Sequence, residues 1–322
     1  MDDFAKRRKR RRQKKQLTLL YIFVISLTLS FVGGFFTGKG NTEKSVEADI
    51  SAAATIPDDI TENAPAPADN VGKRQELLNA LEKDFLKRYT RDGVELSFYI
   101  KDLRTGAFLE YNNKKRNSAS VIKLFIMLEA YRQDAAGSKL KPEIEAALER
   151  MITESHNEST NMLIDEYSFE GINKTALDLG FFDTELQRKV FDKGSPTGKH
   201  NFSSVRDAGR LLEQIFRGEC ISEEYSKKML NLLGKQKRVN KIPKIIKDVR
   251  PEVRVYNKTG ELSSVENDCA IISSENFDFI FCVFEKITED YLEDGNNKLK
   301  EALQEDIAKM AIELVEFFDR PA

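Results

Sequence analysis

The sequence predicts one α+β domain over residues 73–322, because strand-like segments lie near both ends of this region and helical segments lie between them. Two N-terminal strands are predicted at 95–101 and 106–111, and the turn between them is typical of a hairpin. Three further strands are predicted near the C-terminal end, at 253–257, 269–273 and 277–285. The two groups of strands are expected to form one sheet that joins the termini of the domain.

Helices are predicted where apolar residues recur at spacings of three and four. The predicted helices cover 76–89, 118–131, 142–167, 173–179, 205–216 and 299–318. The segment 118–131 is apolar on almost every face, since Ile122, Ile126 and Met127 lie opposite the stripe that begins at Val121. A helix of this kind is expected in the middle of a domain.

The composition suits a globular domain, with 40% apolar and 32% charged residues. The first 16 residues hold nine Lys or Arg against two Asp, a balance of +7. Because the whole chain has a net charge of −2, the remaining residues sum to −9. This acidic body argues against nucleic acid as a partner. Three cysteines are too few for a disulfide framework, and two histidines leave little room for a multi-histidine metal site or a Ser-His-Asp hydrolase. Cys269 and Cys282 are expected to face each other as buried thiols, with a cross-strand disulfide as the alternative.

Three segments precede the predicted domain. Residues 1–16 form a basic tail, and residues 17–38 contain no charge and match the hydrocarbon core of a bilayer. No small-residue cleavage site follows, so the sequence predicts an uncleaved transmembrane helix at 17–38, a cytoplasmic N-terminus and an extracellular domain at the cell membrane. Residues 39–72, rich in Ala, Pro and acidic residues, are predicted to form a flexible stalk. The alternatives are a nucleic-acid or nuclear-import patch in the basic tail and a recognition motif in the stalk.

Ser120 and Lys123 are the first candidates for chemistry. Their spacing of three places the hydroxyl and the amine on one face of the predicted helix. Burial disfavours the charged form of a lysine, and a neutral amine could take the proton of Ser120 and make it a nucleophile. The alternative is a helix cap followed by a lysine that reaches solvent.

Two later patterns, Ser155-His-Asn157 and Lys258-Thr-Gly260, follow the Ser-x-x-Lys pattern in the chain, the second at the end of a predicted strand. Each alone is explained as a helix cap or a strand end, and Ser-x-Asn recurs at Ser274-Glu-Asn276 in a predicted turn. The ordered trio with its flanking residues resembles the serine β-lactamase and penicillin-binding superfamily, and locally its class A β-lactamase branch. The resemblance covers about residues 73–318.

This resemblance implies a mostly antiparallel five-stranded sheet flanked by helices, a small all-helical lobe, and no metal or organic cofactor. It implies that Ser120 is the nucleophile that becomes acylated and that Lys123 is its base or proton relay. Ser155 and Lys258 would pass a proton to the leaving nitrogen. The implied substrate-binding residues are Asn157, Thr259, Gly260 and Glu261. The backbone N–H groups of Ser120 and Glu261 would form the oxyanion hole.

The residues that would release the acyl group depart from the class A pattern. If Leu186 and Arg188 occupy the family's Leu and Arg positions, the water-activating glutamate is replaced by Val190. An apolar side chain cannot activate water, so deacylation is expected to be slow.

The residues that would bind a substrate carboxylate also depart from it. Glu261 adds a negative charge next to the lysine motif, and Asp268 stands where the family has an arginine. Arg254 or Lys241 could compensate for the missing arginine. The short separation of Ser120 from Ser155 further suggests a trimmed helical lobe and a more open cleft.

The predicted function is that of a monomeric, membrane-anchored serine hydrolase that acts on a β-lactam or a D-Ala-D-Ala-type peptide of the cell wall. The alternatives are an efficient β-lactamase, a penicillin-binding-type peptidase or esterase, and a non-catalytic sensor or wall-binding module. The intact trio argues against the non-catalytic module, and Val190 argues against efficient turnover.

Overall fold

The computed structural model describes residues 68–191, 198–292 and 297–320. The N-terminal elements are α1 (Ala68–Tyr89), β1 (Val94–Asp102) and β2 (Phe108–Tyr111). The middle of the chain forms β3 (Arg116–Asn117), α2 (Lys123–Gln133), α3 (Pro142–Thr153), α4 (Asn157–Tyr167), α5 (Phe169–Asp178), β4 (Phe202–Ser203), α6 (Val205–Phe216), α7 (Glu223–Gly234) and α8 (Pro243–Val249). The C-terminal elements are β5 (Arg254–Leu262), β6 (Val265–Ser273), β7 (Asp278–Ile287) and α9 (Asn297–Phe318).

Five strands form one antiparallel sheet in the order β2-β1-β7-β6-β5. The pairing of β1 with β7 joins the N-terminal hairpin to the C-terminal strands, with Phe98 opposite Val283. The predicted α+β class and the sheet that joins both ends of the domain are therefore confirmed. Strands β3 and β4 form a separate short pair that the sequence did not predict.

Both faces of the sheet are buried, and each belongs to its own hydrophobic cluster. On one face, Phe98 and Phe281 pack with residues of α1 and α9, such as Phe85 and Leu314. On the other face, sheet residues including Ile271 pack with the helices α2 to α7. The predicted apolar helix lies in this second cluster, where every residue from Lys123 to Tyr131 is buried. Its burial on all sides explains why it has no polar face.

The long helical stretch predicted at 142–167 is two helices, α3 and α4, and the single-helix prediction is wrong. Ser155 lies between them with a φ of +58°, a left-handed conformation that no α-helix can contain. Because of this break, the side chain of Ser155 does not follow the helix and contacts Lys123 and Lys258 instead.

Strand boundaries differ from prediction where the strand residues are polar. Strand β5 continues through Lys258 to Leu262, so the Lys-Thr-Gly pattern lies inside the strand and not at its end. Strand β6 begins at Val265, four residues before the predicted start, because Glu266, Asn267 and Asp268 are buried polar residues. Helices α7 and α8 were not predicted.

The first described helix, α1, begins at Ala68, so the last five residues of the predicted stalk are helical. The predicted tail, the predicted transmembrane helix at 17–38 and the rest of the stalk lie outside the described residues. Within the described ranges, no helix has the length and apolar character needed to cross a membrane.

Cys269 and Cys282 are paired residues on β6 and β7, as the sequence predicted. Both are buried free thiols, and so is Cys220. Burial raises the pKa of the Cys269 thiol well above its usual value, so it stays protonated and packs as an apolar side chain.

Candidate active site

Ser120 lies in a single 3₁₀ turn, Ala119–Ile122, directly before α2. Ala119 has a φ of +46°, an uncommon conformation for a residue with a side chain. Its N–H donates to Asn117 Oδ1 at 3.0 Å, and Asn267 Nδ2 donates to the carbonyl of Asn117 at 3.0 Å. Strand β6 therefore holds the turn in place through Asn267, and Ser120 remains partly exposed.

Gly260 allows β5 to pass directly beside this turn. A Cβ added to Gly260 would lie 2.6 Å from the carbonyl oxygen of Ser118 and 3.1 Å from the backbone nitrogen of Ser120. Only glycine fits at this distance. The backbone of the Lys-Thr-Gly motif therefore lies directly beside that of Ser120.

The side chain of Lys123 is fully buried and lies among three oxygen atoms. Its Nζ lies 2.8 Å from the carbonyl oxygen of Ser155, 3.1 Å from Ser155 Oγ and 3.0 Å from Asn157 Oδ1. The carbonyl and amide oxygens can only accept, so they match the two N–H groups of a neutral amine. The remaining lone pair is then available to a hydroxyl.

Ser155 Oγ is shared by the two lysines of the motifs. Lys258 Nζ donates to it at 3.1 Å and also donates to the carbonyl of Thr259 at 2.9 Å. Ser155 thus connects Lys123 to Lys258. Three of the predicted catalytic residues, Lys123, Ser155 and Lys258, therefore meet with Asn157 in one continuous cluster beside the Ser120 turn.

Both lysines have strongly lowered pKa values. Burial lowers the pKa of Lys123 to about 6, and the positive charges of Lys258 and Arg238 contribute. Burial also lowers the pKa of Lys258 to about 7, and the carboxylate of Asp268 opposes part of that shift. Near neutral pH, a neutral amine at Lys123 can therefore coexist with an ammonium group at Lys258.

His156, at the middle of the Ser-x-Asn pattern, caps α4 and points away from the cluster. Its Nδ1 accepts from the backbone N–H of Ser159 at 3.2 Å, and its Nε2 lies 2.8 Å from Arg150 Nη2. The ring therefore positions the start of α4, on which Asn157 is the first residue.

The remaining predicted residues of β5 differ in their surroundings. Thr259 is 1% exposed, whereas the side chain of Glu261 is 27% exposed. Glu261 lies 3.1 Å from Lys241 Nζ and 3.8 Å from Arg238 Nη1, and these cations outweigh burial and lower the pKa of its carboxyl group. Its negative charge is therefore compensated within the protein.

Arg238 is the residue at this site that the sequence did not reveal. Its Nε donates to the carbonyl of Glu154, next to Ser155, at 3.1 Å, and its side chain is 48% exposed. Its positive charge adds a smaller part to the lowering of the pKa of Lys123 and Lys258, which burial dominates. No sequence pattern marks this position, because the segment that holds Arg238 is an irregular loop.

Neither of the two residues expected to replace the family's arginine presents an exposed charge at the site. Lys241 is fully buried, and Arg254 is an exposed residue at the start of β5, four residues before Lys258. Asp268 is also buried, where it accepts from Asn257 Nδ2 at 3.0 Å and from the N–H of Ile242 at 3.1 Å. Burial raises the pKa of Asp268 to about 6, and its contacts are those of a structural residue.

The loop that contains Val190 is fixed to α4 by one side chain. Asn161 Nδ2 donates to the carbonyl of Val190 at 3.0 Å, and the N–H of Val190 donates to Asn161 Oδ1 at 2.9 Å. Asn161 lies one helical turn after Asn157, so both side chains share a face of α4 and lie about 6 Å apart along its axis. Val190 is therefore held about one turn from the cluster, and its side chain offers no group that can move a proton.

Comparison with known proteins identifies the family of the chain. The model of the beta-lactamase enzyme family matches residues 76–144 and 137–315, which together exceed half of the chain. The chain therefore belongs to the beta-lactamase enzyme family. No curated protein sequence matches it significantly.

Solved structures share the fold at low sequence identity. The β-lactamase of Sphaerobacter thermophilus is 22% identical with a TM-score of 0.60, and the match covers 78% of this chain and 99% of that protein. An ancestral class A β-lactamase is 17% identical with a TM-score of 0.61, over 74% of this chain and 99% of the other. A mutant of PBP-A, solved as its acyl-enzyme complex with penicillin G, is 19% identical with a TM-score of 0.57, over 77% and 98% of the two chains.

Proposed function

We propose that this protein is a membrane-anchored, extracellular serine hydrolase that is acylated at Ser120 by a β-lactam or a D-Ala-D-Ala-type amide and releases the acyl group slowly. The observation that supports it best is the sharing of Ser155 Oγ by Lys123 and Lys258, at 3.1 Å from each. This arrangement is suited to moving a proton from a nucleophile to a leaving group. A helix cap and a strand end would not require two buried lysines on one hydroxyl.

Acylation uses the two lysines in different protonation states. Ser120 Oγ attacks the substrate carbonyl carbon, and its proton passes to the neutral amine of Lys123. The negative charge that develops on the carbonyl oxygen is held by the N–H groups of Ser120 and Glu261. The carbon–nitrogen bond then breaks, and the nitrogen takes the proton of Ser155, which Lys123 replaces. The product is an ester on Ser120, and Lys123 is neutral again.

Arg238 supplies the exposed positive charge that a substrate carboxylate requires. Lys123, Lys258 and Lys241 are all fully buried, so none of them presents a hydrated charge at the surface of the site. Arg238 is half exposed, and its guanidinium can bind a carboxylate through two parallel N–H groups. We therefore assign it the role that we expected of Arg254 or Lys241.

We expect slow release of the acyl group because the described part of the loop holds no carboxylate at the position of the family's general base. The position expected to hold a glutamate is Val190, and the nearby side chain of Asn161 is fully used in fixing the loop. This favours a penicillin-binding-type peptidase or esterase over an efficient β-lactamase. A non-catalytic module would not require a lysine whose pKa burial lowers toward neutral pH.

The test is labelling of the full-length protein with a fluorescent penicillin, followed by turnover of nitrocefin. We expect a stable label that Ser120→Ala abolishes without a change in thermal unfolding, and turnover far below one event per second. Rapid nitrocefin hydrolysis would support an efficient β-lactamase instead. Absence of label from the folded protein would contradict acylation by β-lactams.

The membrane anchor is a separate part of the proposal and rests on the sequence alone. Residues 1–16 would remain in the cytoplasm and residues 17–38 would cross the bilayer once, with the domain acting as a monomer outside. Deletion of residues 1–38 should move the protein from the membrane fraction to the soluble fraction. Membrane association that survives this deletion would contradict the anchor.

A further inference from the structure

Lys241 is a buried cation that the proposed reaction does not use directly. It lies just before α8 with no exposed surface, and its Nζ contacts two carboxylates, Glu266 at 2.9 Å and Glu261 at 3.1 Å. The same Nζ donates to a third group, the carbonyl oxygen of Gly260, at 3.3 Å. The two carboxylates are enough to balance the charge of Lys241. Its contact with the carbonyl oxygen of Gly260 is therefore additional to charge pairing.

The carbonyl of Gly260 and the N–H of Glu261 belong to the same peptide group. Two neighbouring carbonyls show which way this part of β5 faces. The carbonyl of Asn257 accepts from Gln236 Nε2 and that of Thr259 accepts from Lys258 Nζ, so both face away from β6. Because directions alternate along an antiparallel strand, Glu261 presents its N–H to this free edge of the sheet, on which the Ser120 turn lies.

The opposite side of the same peptide group faces the interior. Gly260 is paired with Asn267 of β6, so its carbonyl points toward that strand and toward Lys241. A positive charge on the carbonyl oxygen withdraws electrons from the amide and makes the N–H at its other end a stronger donor. Lys241 thus acts on the N–H of Glu261 without touching the substrate.

We propose that Lys241 is a positioning residue that polarises the Gly260–Glu261 peptide group and so strengthens one of the two donors to the oxyanion. This inference rests on the proposed acylation of Ser120. Loss of a whole oxyanion donor typically slows a reaction roughly 10²- to 10³-fold, and polarisation is a fraction of that effect. We therefore expect Lys241 to contribute about 3- to 10-fold to the acylation rate.

The surrounding charges allow Lys241 to be replaced without leaving an isolated carboxylate. Glu266 also lies 3.1 Å from Lys300 Nζ, and Glu261 also lies 3.8 Å from Arg238. Each acid therefore keeps one cation in Lys241→Met. Lys300→Met is the matched control, because it removes the other cation of Glu266 and lies away from the carbonyl of Gly260.

The experiment measures the acylation rate and the infrared absorption of the ester carbonyl in the penicillin adduct of the full-length protein. We expect Lys241→Met to slow acylation about 3- to 10-fold. The ester band should also shift to higher wavenumber, because a weaker hydrogen bond to the carbonyl oxygen leaves the C=O bond stiffer. Lys300→Met should change the rate less than about twofold, and its band should stay in place. If Lys241→Met is unstable, Lys241→Met with Glu266→Gln removes both charges of the ion pair and should show the same band shift.

Two outcomes would overturn the inference. Equal effects of Lys241→Met and Lys300→Met, or a slower rate with an unmoved band, would show that Lys241 only supports the fold. Failure of the unmodified protein to form any adduct would instead refute the proposed acylation, and the inference with it.

Discussion

At the scale of single residues, the site depends on two lysines removed from water. Lys123 and Lys258 have no exposed side-chain surface, and burial lowers the pKa of one to about 6 and of the other to about 7. An amine with a lowered pKa loses its proton as the pH rises through that value. In the proposed reaction, the same two residues should give the acylation rate its pH dependence.

We predict a bell-shaped profile of the acylation rate against pH. The rate should rise near pH 6 as Lys123 becomes a neutral base, and fall above about pH 7 as Lys258 loses the charge that assists the leaving group. Stopped-flow measurement of acylation by a chromogenic penicillin tests this. A rate that continues to rise to pH 10 would indicate solvated lysines and contradict the assignment.

Arg238 should matter only for substrates that carry a carboxylate. Arg238→Gln is expected to reduce the acylation efficiency toward a penicillin about tenfold and to leave reaction with the penicillin methyl ester unchanged. Lys237→Gln is the control, because Lys237 is a neighbouring cation that pairs with the exposed side of Glu154 at 2.8 Å. Equal losses for the acid and the ester would show that Arg238 has a structural role instead.

The sequence revealed residues that lie in fixed local patterns and missed residues that contact the site from irregular segments. Ser120, Lys123, Ser155 and Lys258 were recognisable because each belongs to a short motif. Asn161 lies in the run after Ser155 whose flanking residues carry the family resemblance, but its contact with Val190 is visible only in the fold. Arg238 belongs to no pattern, and only the fold brings it to the site. The roles of Lys241 and Asp268 were not visible either, because burial separates them from the substrate.

At the scale of elements, helix α4 fixes the described part of the loop before β4 beside the candidate site. The two hydrogen bonds of Asn161 fix the backbone of Val190 about one helical turn from Asn157. The backbone at Val190 is therefore fixed, and in the proposed reaction this position lacks a side chain that can activate water. A single substitution could supply it.

We predict that Val190→Glu accelerates release of penicillin from Ser120 roughly 100-fold or more, because a positioned general base typically contributes about 10²- to 10⁴-fold. Intact-protein mass spectrometry of the adduct over time measures the release rate. Val190→Gln, of the same size without a base, should leave it unchanged. An unchanged rate for Val190→Glu in a folded protein would place the missing base elsewhere.

The sheet carries a titratable group of its own at the pairing of β6 with β7. Glu285 is 1% exposed and stands opposite Glu266, and its carboxylate oxygens have no hydrogen-bond partner among the described residues. Burial, together with the carboxylates of Asp306 and Glu266, raises its pKa well above the usual value. The folded protein therefore keeps a proton on Glu285 that the unfolded chain releases above about pH 4.3.

Stability is consequently expected to fall as the pH rises above about 4.3, since the folded state then binds more protons than the unfolded state. Glu285→Gln should remove this contribution and raise Tm at pH 8 by about 2–4 °C, with little difference at pH 4. Thermal unfolding across pH measures it, with Glu301→Gln on the exposed face of α9 as control. Parallel stability curves for Glu285→Gln and the unmodified protein would contradict the raised pKa.

At the scale of the whole molecule, the fold explains how distant parts of the chain meet. The pairing of β1 with β7 joins the two ends of the domain, and the helices between them carry Ser120 and Ser155 to the edge formed by β5. The sequence predicted this sheet because its central strands are apolar. It did not predict the polar start of β6 or the break at Ser155, because burial of polar residues and a left-handed backbone depend on contacts that only the folded chain makes.

The proposed function requires that Ser120 form a long-lived ester, which intact-protein mass spectrometry after addition of penicillin G detects. Ring opening expels no atoms, so the protein should gain the mass of one whole penicillin molecule, on the peptide that contains Ser120, and keep it for minutes. Ser120→Ala should gain nothing. A folded protein that never gains this mass, or an equal gain in Ser120→Ala, would contradict acylation of Ser120.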